Sequence, residues 1–218
     1  DKGRFGNEVL RENCIQKGFW VGTYEVSNEQ YRKYQSTHNS SKYKSLNLNH
    51  PSQPVVLVSW EQAVEYSEWL SEQTGFKFRL PTEYEWEFVA KGGQIDKNFY
   101  KNPKQICNYE NIADKMAQQN FKGWTKTVPC HDGEAVTAKV GTYDPNKMGL
   151  YDLLGNVREL TCTEYRATNR HCVNETKKQI IVRGAAWSDS VRFTRISAKR
   201  KMKVTQKSKY VGFRLIRE

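Results

Sequence analysis

Ser188, Asp189 and Ser190 stand together in GAAWSDSVRF (184–193), two hydroxyls flanking one carboxylate. A serine nucleophile needs a base within hydrogen-bond reach to take its proton. Adjacent residues seldom present side chains in triad geometry, no histidine is near in sequence, and no nucleophile-elbow pattern surrounds either serine. The four histidines, His38, His50, His131 and His171, lack metal-helix spacing, which favours structural or solvated roles. The five cysteines, Cys14, Cys107, Cys130, Cys162 and Cys172, show no CxxC pair, which disfavours zinc. Cys162 and Cys172 bracket a short loop, and Cys107 and Cys130 flank a longer segment. Two bridges with Cys14 left over would imply an oxidising compartment; five buried thiols are the alternative.

The same segment has the composition of a recognition patch. Ser188, Asp189, Ser190, Arg192, Phe193 and Arg195 mix small hydroxyls, guanidinium groups and an aromatic ring, the residue types that anchor binding surfaces. Trp187 is expected in the core, whereas Ser190, Arg192 and Arg195 are expected to be exposed. The 218-residue chain carries a formal charge of +11, and the excess lies in its last quarter, where residues 170–218 hold fourteen Lys and Arg against three Asp and Glu. Its densest run, KRKMKVTQKSK (199–209), is suited to a protein, glycan or polyanionic partner. Nucleic acid is the less favoured polyanion, because no aromatic interleaves the run for base stacking. A solvated Lys-rich loop is the plain structural expectation for it.

The elements that must position these groups are legible in part. GFWVGTYEVS (18–27) reads as a strand, and S-N-E-Q at Ser27 is a capping box that opens a helix through Thr37. PVVLV (54–58) reads as a short buried strand. Ser59 begins a second box and a helix whose Trp60, Ala63, Val64 and Leu70 share a face, closed by Gly75. Thr82 and Glu85 form a third box. From about Lys91 to Gly149 few apolar positions recur, and a loop-rich stretch that long needs something besides a core, such as a metal, to organise it. No apolar run approaches the roughly 18 residues of a membrane helix, and DKGRFGNEVL lacks the apolar centre of a signal peptide. One domain is expected over residues 1–218.

Six motifs together resemble the formylglycine-generating enzyme (sulfatase-modifying factor) family: FWVGTYEVSNEQY (19–31), PVVLVSWEQAVEYSEWL (54–70), FRLPTEYEWEFVAKGG (78–93), GLYDLLGNVREL (149–160), VRGAAW (182–187) and VGFRLIRE (211–218). The resemblance implies a mixed α/β domain with a variant of the C-type lectin fold, little regular secondary structure and two main helices. It also implies calcium. One site would use the side chains of Asp152 and Glu159 with the carbonyls of Gly155 and Val157, a hard-oxygen set of the kind calcium prefers. A second would use Asn111 with the carbonyl of Ile112, and Asp132 with the carbonyl of Glu134. That second pairing brings Cys107 and Cys130 close, so a bridge is expected there.

Enzymes of this family oxidise a client cysteine with oxygen and a copper(I) held by two thiolates, soft ligands suited to that ion. The resemblance lays those thiols on Ser188 and Phe193, with Ala185 in place of a family serine. A serine hydroxyl is a hard ligand and phenylalanine has no donor, so copper is not expected. The resulting expectation is a non-catalytic, calcium-stabilised binding domain with its recognition surface around residues 185–210, located in the periplasm or outside the cell, or else in the cytoplasm. Its rivals are a divergent oxidoreductase of the same type and an accessory subunit of an enzyme complex.

Overall fold

The computed structural model describes residues 17–92, 105–165 and 178–218, together with Gly6, Glu8, Cys14, Ile15 and Cys172. In chain order the elements are β1 (Trp20–Val21), α1 (Asn28–Arg32), β2 (Lys42–Tyr43), β3 (Leu46–Asn47), α2 (Trp60–Thr74), β4 (Phe78–Arg79), α3 (Glu83–Ala90), α4 (Lys115–Asn120), β5 (Arg158–Glu164), β6 (Gln179–Arg183), β7 (Lys199–Lys203), β8 (Val211–Gly212) and β9 (Ile216–Arg217). Single 3₁₀ turns occur at Ile106–Asn108 and Val191–Phe193. The strands form a sheet in the order β7-β6-β5-β8, a small sheet β1-β9-β4 that joins the two ends of the fold, and the hairpin β2-β3. Among the described residues no helix is long and apolar enough to cross a membrane.

All three capping boxes form. The hydroxyls of Ser27, Ser59 and Thr82 each accept the N–H three residues on, and Gln30, Gln62 and Glu85 reach back to the cap N–H. Gly75 closes α2 at φ 74°, the left-handed conformation that glycine adopts without a Cβ clash. α1 ends at Arg32 rather than Thr37, because the N–H groups of Lys33, Tyr34 and Gln35 bond in tight turns to Gln30 and Tyr31. α2 turns Trp60, Ala63 and Tyr66 inward against Leu160, Ile180 and Val182 of the large sheet, while Val64 and Leu70 pack at the edge of that cluster. The Trp60 indole also donates to the Thr161 carbonyl at 3.0 Å.

Two expected strands are mostly irregular. Of residues 18–27 only Trp20–Val21 forms a strand, although Gly22 and Val26 still donate to Leu215 and Phe213 at 2.9 and 2.8 Å. Residues 54–58, buried except for half-buried Leu57, form only one isolated bridge, Pro54 with Ser27: Val55 donates to the Val26 carbonyl, Val56 to the Ser40 hydroxyl and Leu57 to the Ser208 carbonyl. Burying a β-branched run requires only that its backbone groups find partners, and here loops supply them. The basic run is a solvated loop only in its second half, where residues 205–207 are exposed. Its first five residues are β7, paired antiparallel to β6 from Gln179↔Lys203 to Arg183↔Lys199, with Met202 in the core. Lysines on such an edge strand also discourage pairing with another sheet.

Candidate functional site

The turn DLLGNVRE and the neighbouring chain build a buried polar centre. Asp152, Gly155, Val157 and Glu159 are all buried on or beside this turn. Gly155 has no side chain because none fits: a Cβ there would lie 2.7 Å from the Asn111 carbonyl oxygen and 2.8 Å from its nitrogen. That approach ties the turn to the 105–114 segment, where the Asn156 N–H donates to the Asn111 carbonyl at 2.7 Å.

The Glu159 carboxylate is fully engaged. Arg214 donates to it through Nη2 at 2.7 Å and Nε at 2.9 Å, and the Trp86 indole donates to Oε2 at 2.7 Å. The rest of the Arg214 guanidinium is taken by the carbonyls of Gly22, Thr23 and Tyr151. The Asp152 Oδ2 accepts from the Gly141 N–H at 2.8 Å, but its Oδ1 is buried without a hydrogen-bond partner. Glu25 is in the same condition: Oε1 accepts from the Asn156 amide at 3.2 Å while Oε2 has no partner. The Asn111 amide donates to Val136 and Asn156 and leaves its own oxygen, Oδ1, unmatched. Burial first, and the Asp152 charge second, push Glu25 well above the usual carboxylate range. Burial likewise pushes Asp152 up to about 6. A cavity of about 10 Å³, lined in part by Asp152, Glu110, Asp144 and Asn146, opens beside this centre.

Orphaned buried carboxylate oxygens are costly, and a hard cation is the partner that satisfies several at once. The residues present therefore fit calcium to the extent that Asp152 and Glu25 each offer a buried carboxylate oxygen without a partner. They fit it less well through Glu159, whose oxygens Arg214 and Trp86 already occupy.

The second expected metal set is brought together in part. Asp132 accepts the Ile112 N–H at 3.1 Å and the Glu134 N–H at 2.9 Å, so the two segments do meet. The Asn111 side chain turns instead toward Val136 and Asn156. Asp114, absent from the sequence reading, caps α4 with one oxygen and accepts the Asp132 N–H with the other at 2.8 Å. Burial pushes Asp132 up to about 7. Cys107, Asp114 and Asp132 cluster within 4.8 Å, but Cys107 is bridged to Cys130, so its sulfur is not a thiolate ligand. Cys162 is bridged to Cys172, which leaves Cys14 exposed as the single free thiol.

The expected recognition residues divide by role. Trp187 is fully buried, as its expected core position requires. Ser188, Ser190 and Phe193 are half-buried and Arg192 is exposed. Arg195 is not exposed: its two terminal nitrogens fork the Glu8 carboxylate at 2.8 Å each, and its Nε donates to the Arg192 carbonyl. Asp189 is buried and organises the loop. Its Oδ1 accepts from Arg158 Nη2 at 2.7 Å and Arg200 Nη2 at 2.9 Å, and its Oδ2 accepts from Arg158 Nε at 2.9 Å and the Ala186 N–H at 3.0 Å. The Arg200 guanidinium lies over the Phe193 ring at 4.1 Å, and that of Arg158 lies 5.8 Å from the Tyr210 ring. Sequence reasoning missed Arg158, Arg200 and Tyr210 here. One signal was available, since Asp189 is the only acidic residue between Glu175 and Glu218 in a strongly basic stretch. Glu25 had no comparable signal, being one residue in an apparent strand.

A family model for the sulfatase-modifying factor enzyme 1-like domain matches residues 3–218. The chain is 35% identical over 138 residues to the formylglycine-generating enzyme of Thermomonospora curvata, covering 62% of this chain and 41% of that protein. It is 34% identical over 138 residues to the inactive C-alpha-formylglycine-generating enzyme 2 of Bos taurus, covering 63% and 39%. It thus spans about two-fifths of the length of these curated relatives. The structure of PvdO from Pseudomonas aeruginosa is similar in fold, with a TM-score of 0.79 at 22% identity over 100% of this chain and 87% of that one. With six motifs in order, a mixed α/β fold shared with a solved relative and a family match across nearly every residue, this chain belongs to the sulfatase-modifying factor family, whose domain is a variant of the C-type lectin fold.

Proposed function

We propose that this chain is a non-catalytic binding domain of the family, held together by calcium at the Glu25–Asp152 centre, with its recognition surface around residues 185–210. One feature supports the reading: the motif resemblance lays the family's copper thiolates on Ser188 and Phe193, and residues 184–193 contain no cysteine, while Phe193 lies under the Arg200 guanidinium. Of the five cysteines four are paired as disulfides, which leaves one free thiol, Cys14, where copper(I) in the family takes two. Those two bridges support placement in the periplasm or outside the cell. Similarity to a relative named inactive supports the same reading. The similarity of equal size to an active enzyme favours the rival, a divergent oxidoreductase.

Copper(I) titration and oxygen uptake with a cysteine peptide separate the two. The binding reading expects neither a stoichiometric copper(I) complex nor peptide-dependent oxygen consumption. It also expects a partner captured by the wild-type chain to be lost from an Arg192→Ala variant, because Arg192 is exposed at the centre of the segment. Copper-dependent turnover would overturn it.

A further inference from the structure

The surface around Asp189 carries two guanidinium groups and one carboxylate. Each Asp189 oxygen already accepts two donors, so that carboxylate has no remaining capacity. Arg158 spends Nε and Nη2 on it and its side chain is only 13% exposed. Arg200 spends Nη2 alone, and its side chain is 39% exposed. Among the described residues its Nε and Nη1 have no protein acceptor. The pair thus holds one cationic charge without a counterpart, partly withdrawn from water.

We propose that this surface binds a carboxylate-bearing ligand, with Arg200 as the guanidinium that meets it. This rests on reading residues 185–210 as a binding face and names the chemistry that face would take. Three features favour a carboxylate. Nη2 has two N–H groups and spends one on Asp189; the other runs parallel to the N–H of either Nε or Nη1, so one two-donor edge remains, which matches the two oxygens of a planar carboxylate better than a single carbonyl. The Arg200 guanidinium carbon lies over the Phe193 ring at 4.1 Å from its centroid, a contact with an aromatic face that uses none of the remaining N–H donors in a hydrogen bond. Half-buried Phe193 and Tyr210 provide apolar surface beside the charge, suited to an acid carried on an apolar or aromatic body. Asp189 positions both arginines and does not face the ligand. The electrostatics agree, since burial and then the neighbouring Arg158 charge lower the Arg200 pKa, and an incoming anion would relieve that penalty.

The test is titration of the full chain at low ionic strength with benzoate, with neutral benzamide, with inorganic sulfate, and with an acetylated, amidated Gly-Glu-Gly peptide, followed by calorimetry and by the arginine side-chain NMR signals. Benzoate is expected to bind saturably and benzamide not to bind. Arg200→Met should weaken benzoate about tenfold or more, the loss expected when a charge-assisted fork is removed. Arg200→Lys keeps the charge without the fork and should weaken it too; this variant carries the test if Arg200→Met does not fold. Saturable benzoate binding is what the proposal requires, and binding of the peptide as well shows that a protein side-chain carboxylate is accepted besides a free acid. Equal binding of benzamide, no saturable benzoate binding, an Arg200→Met affinity equal to wild type, or sulfate binding tighter than both carboxylates would overturn it. If benzoate fails while partner capture still depends on Arg192, the ligand class falls and the binding reading stands. Copper-dependent turnover would remove that reading and leave the benzoate result to be judged separately.

Discussion

Arg214 and Glu159 form a fully buried, forked ion pair, with Nη2 to Oε1 at 2.7 Å and neither side chain exposed to solvent. It links the C-terminal motif VGFRLIRE to the turn DLLGNVRE, 55 residues apart in sequence. Trp86 of α3 completes the Glu159 shell. The pair holds the floor of the polar centre in place.

Removing one partner leaves the other charged and unpaired in the interior. Arg214→Met should therefore destabilise the chain by about 3–5 kcal/mol in urea unfolding. A loss below about 1 kcal/mol would show that the pair is dispensable to the fold.

Calcium should act through Glu25 and Asp152. In wild-type protein, calcium at about 100 times its Kd should add about 2.7 kcal/mol to the unfolding free energy, reversed by chelator. Glu25→Gln and Asp152→Asn should each remove most of that increment. If either variant retained the full calcium response, the ion would have to sit elsewhere.

Glu85 separates a charge effect from a capping effect. It closes the Thr82 capping box and also accepts two bonds from Arg79 at 2.8 Å. Burial would raise its pKa, but the Arg79 fork and the Thr82 N–H outweigh burial and hold it below the usual 4.5. A carboxyl depressed in the folded state binds fewer protons there than in the unfolded chain, so its stabilisation is complete above 4.5 and disappears as pH falls through the lower folded value. Glu85→Gln keeps a capping amide and loses the ion pair. It should cost about 1–2 kcal/mol at pH 7, with the gap to wild type closing below about pH 4.5. An unchanged gap down to pH 2 would mean the charge contributes nothing.

Gly155→Ala should strain the join between the turn DLLGNVRE and the 105–114 segment. Its Cβ would meet backbone rather than a movable side chain, at 2.7 Å from the Asn111 oxygen. A loss of about 1–3 kcal/mol, as for other overpacked sites, is expected in thermal unfolding. A smaller loss would mean that the two segments can separate without consequence.

The parts of this protein that were legible in sequence are those decided within a few residues. The starts of α1, α2 and α3 were each marked by a hydroxyl and a Glu or Gln three positions on, because a cap satisfies backbone donors one turn away, whereas α4, capped by Asp114, carried no such box. Gly75 as a helix stop was equally local. The irregular course of residues 54–58 was not, since loop partners from distant segments satisfy that backbone, and neither was the helix end at Arg32, where Lys33 and Tyr34 turn to carbonyls three residues back. The site followed the same division. Asp152 could be singled out from its motif, but Glu25, 127 residues earlier, joins it only because the small terminal sheet and the Arg214–Glu159 pair fold the N-terminal chain over the turn. Asp189 reads as a surface acid in sequence, and only the sheet order, which sets β5 and β7 on either side of β6, brings Arg158 and Arg200 to it. Local hydrogen-bond spacing is encoded along the chain, whereas the meeting of charges from separate strands depends on long-range packing, and that decides which acids organise the site and which cation is left to meet a ligand.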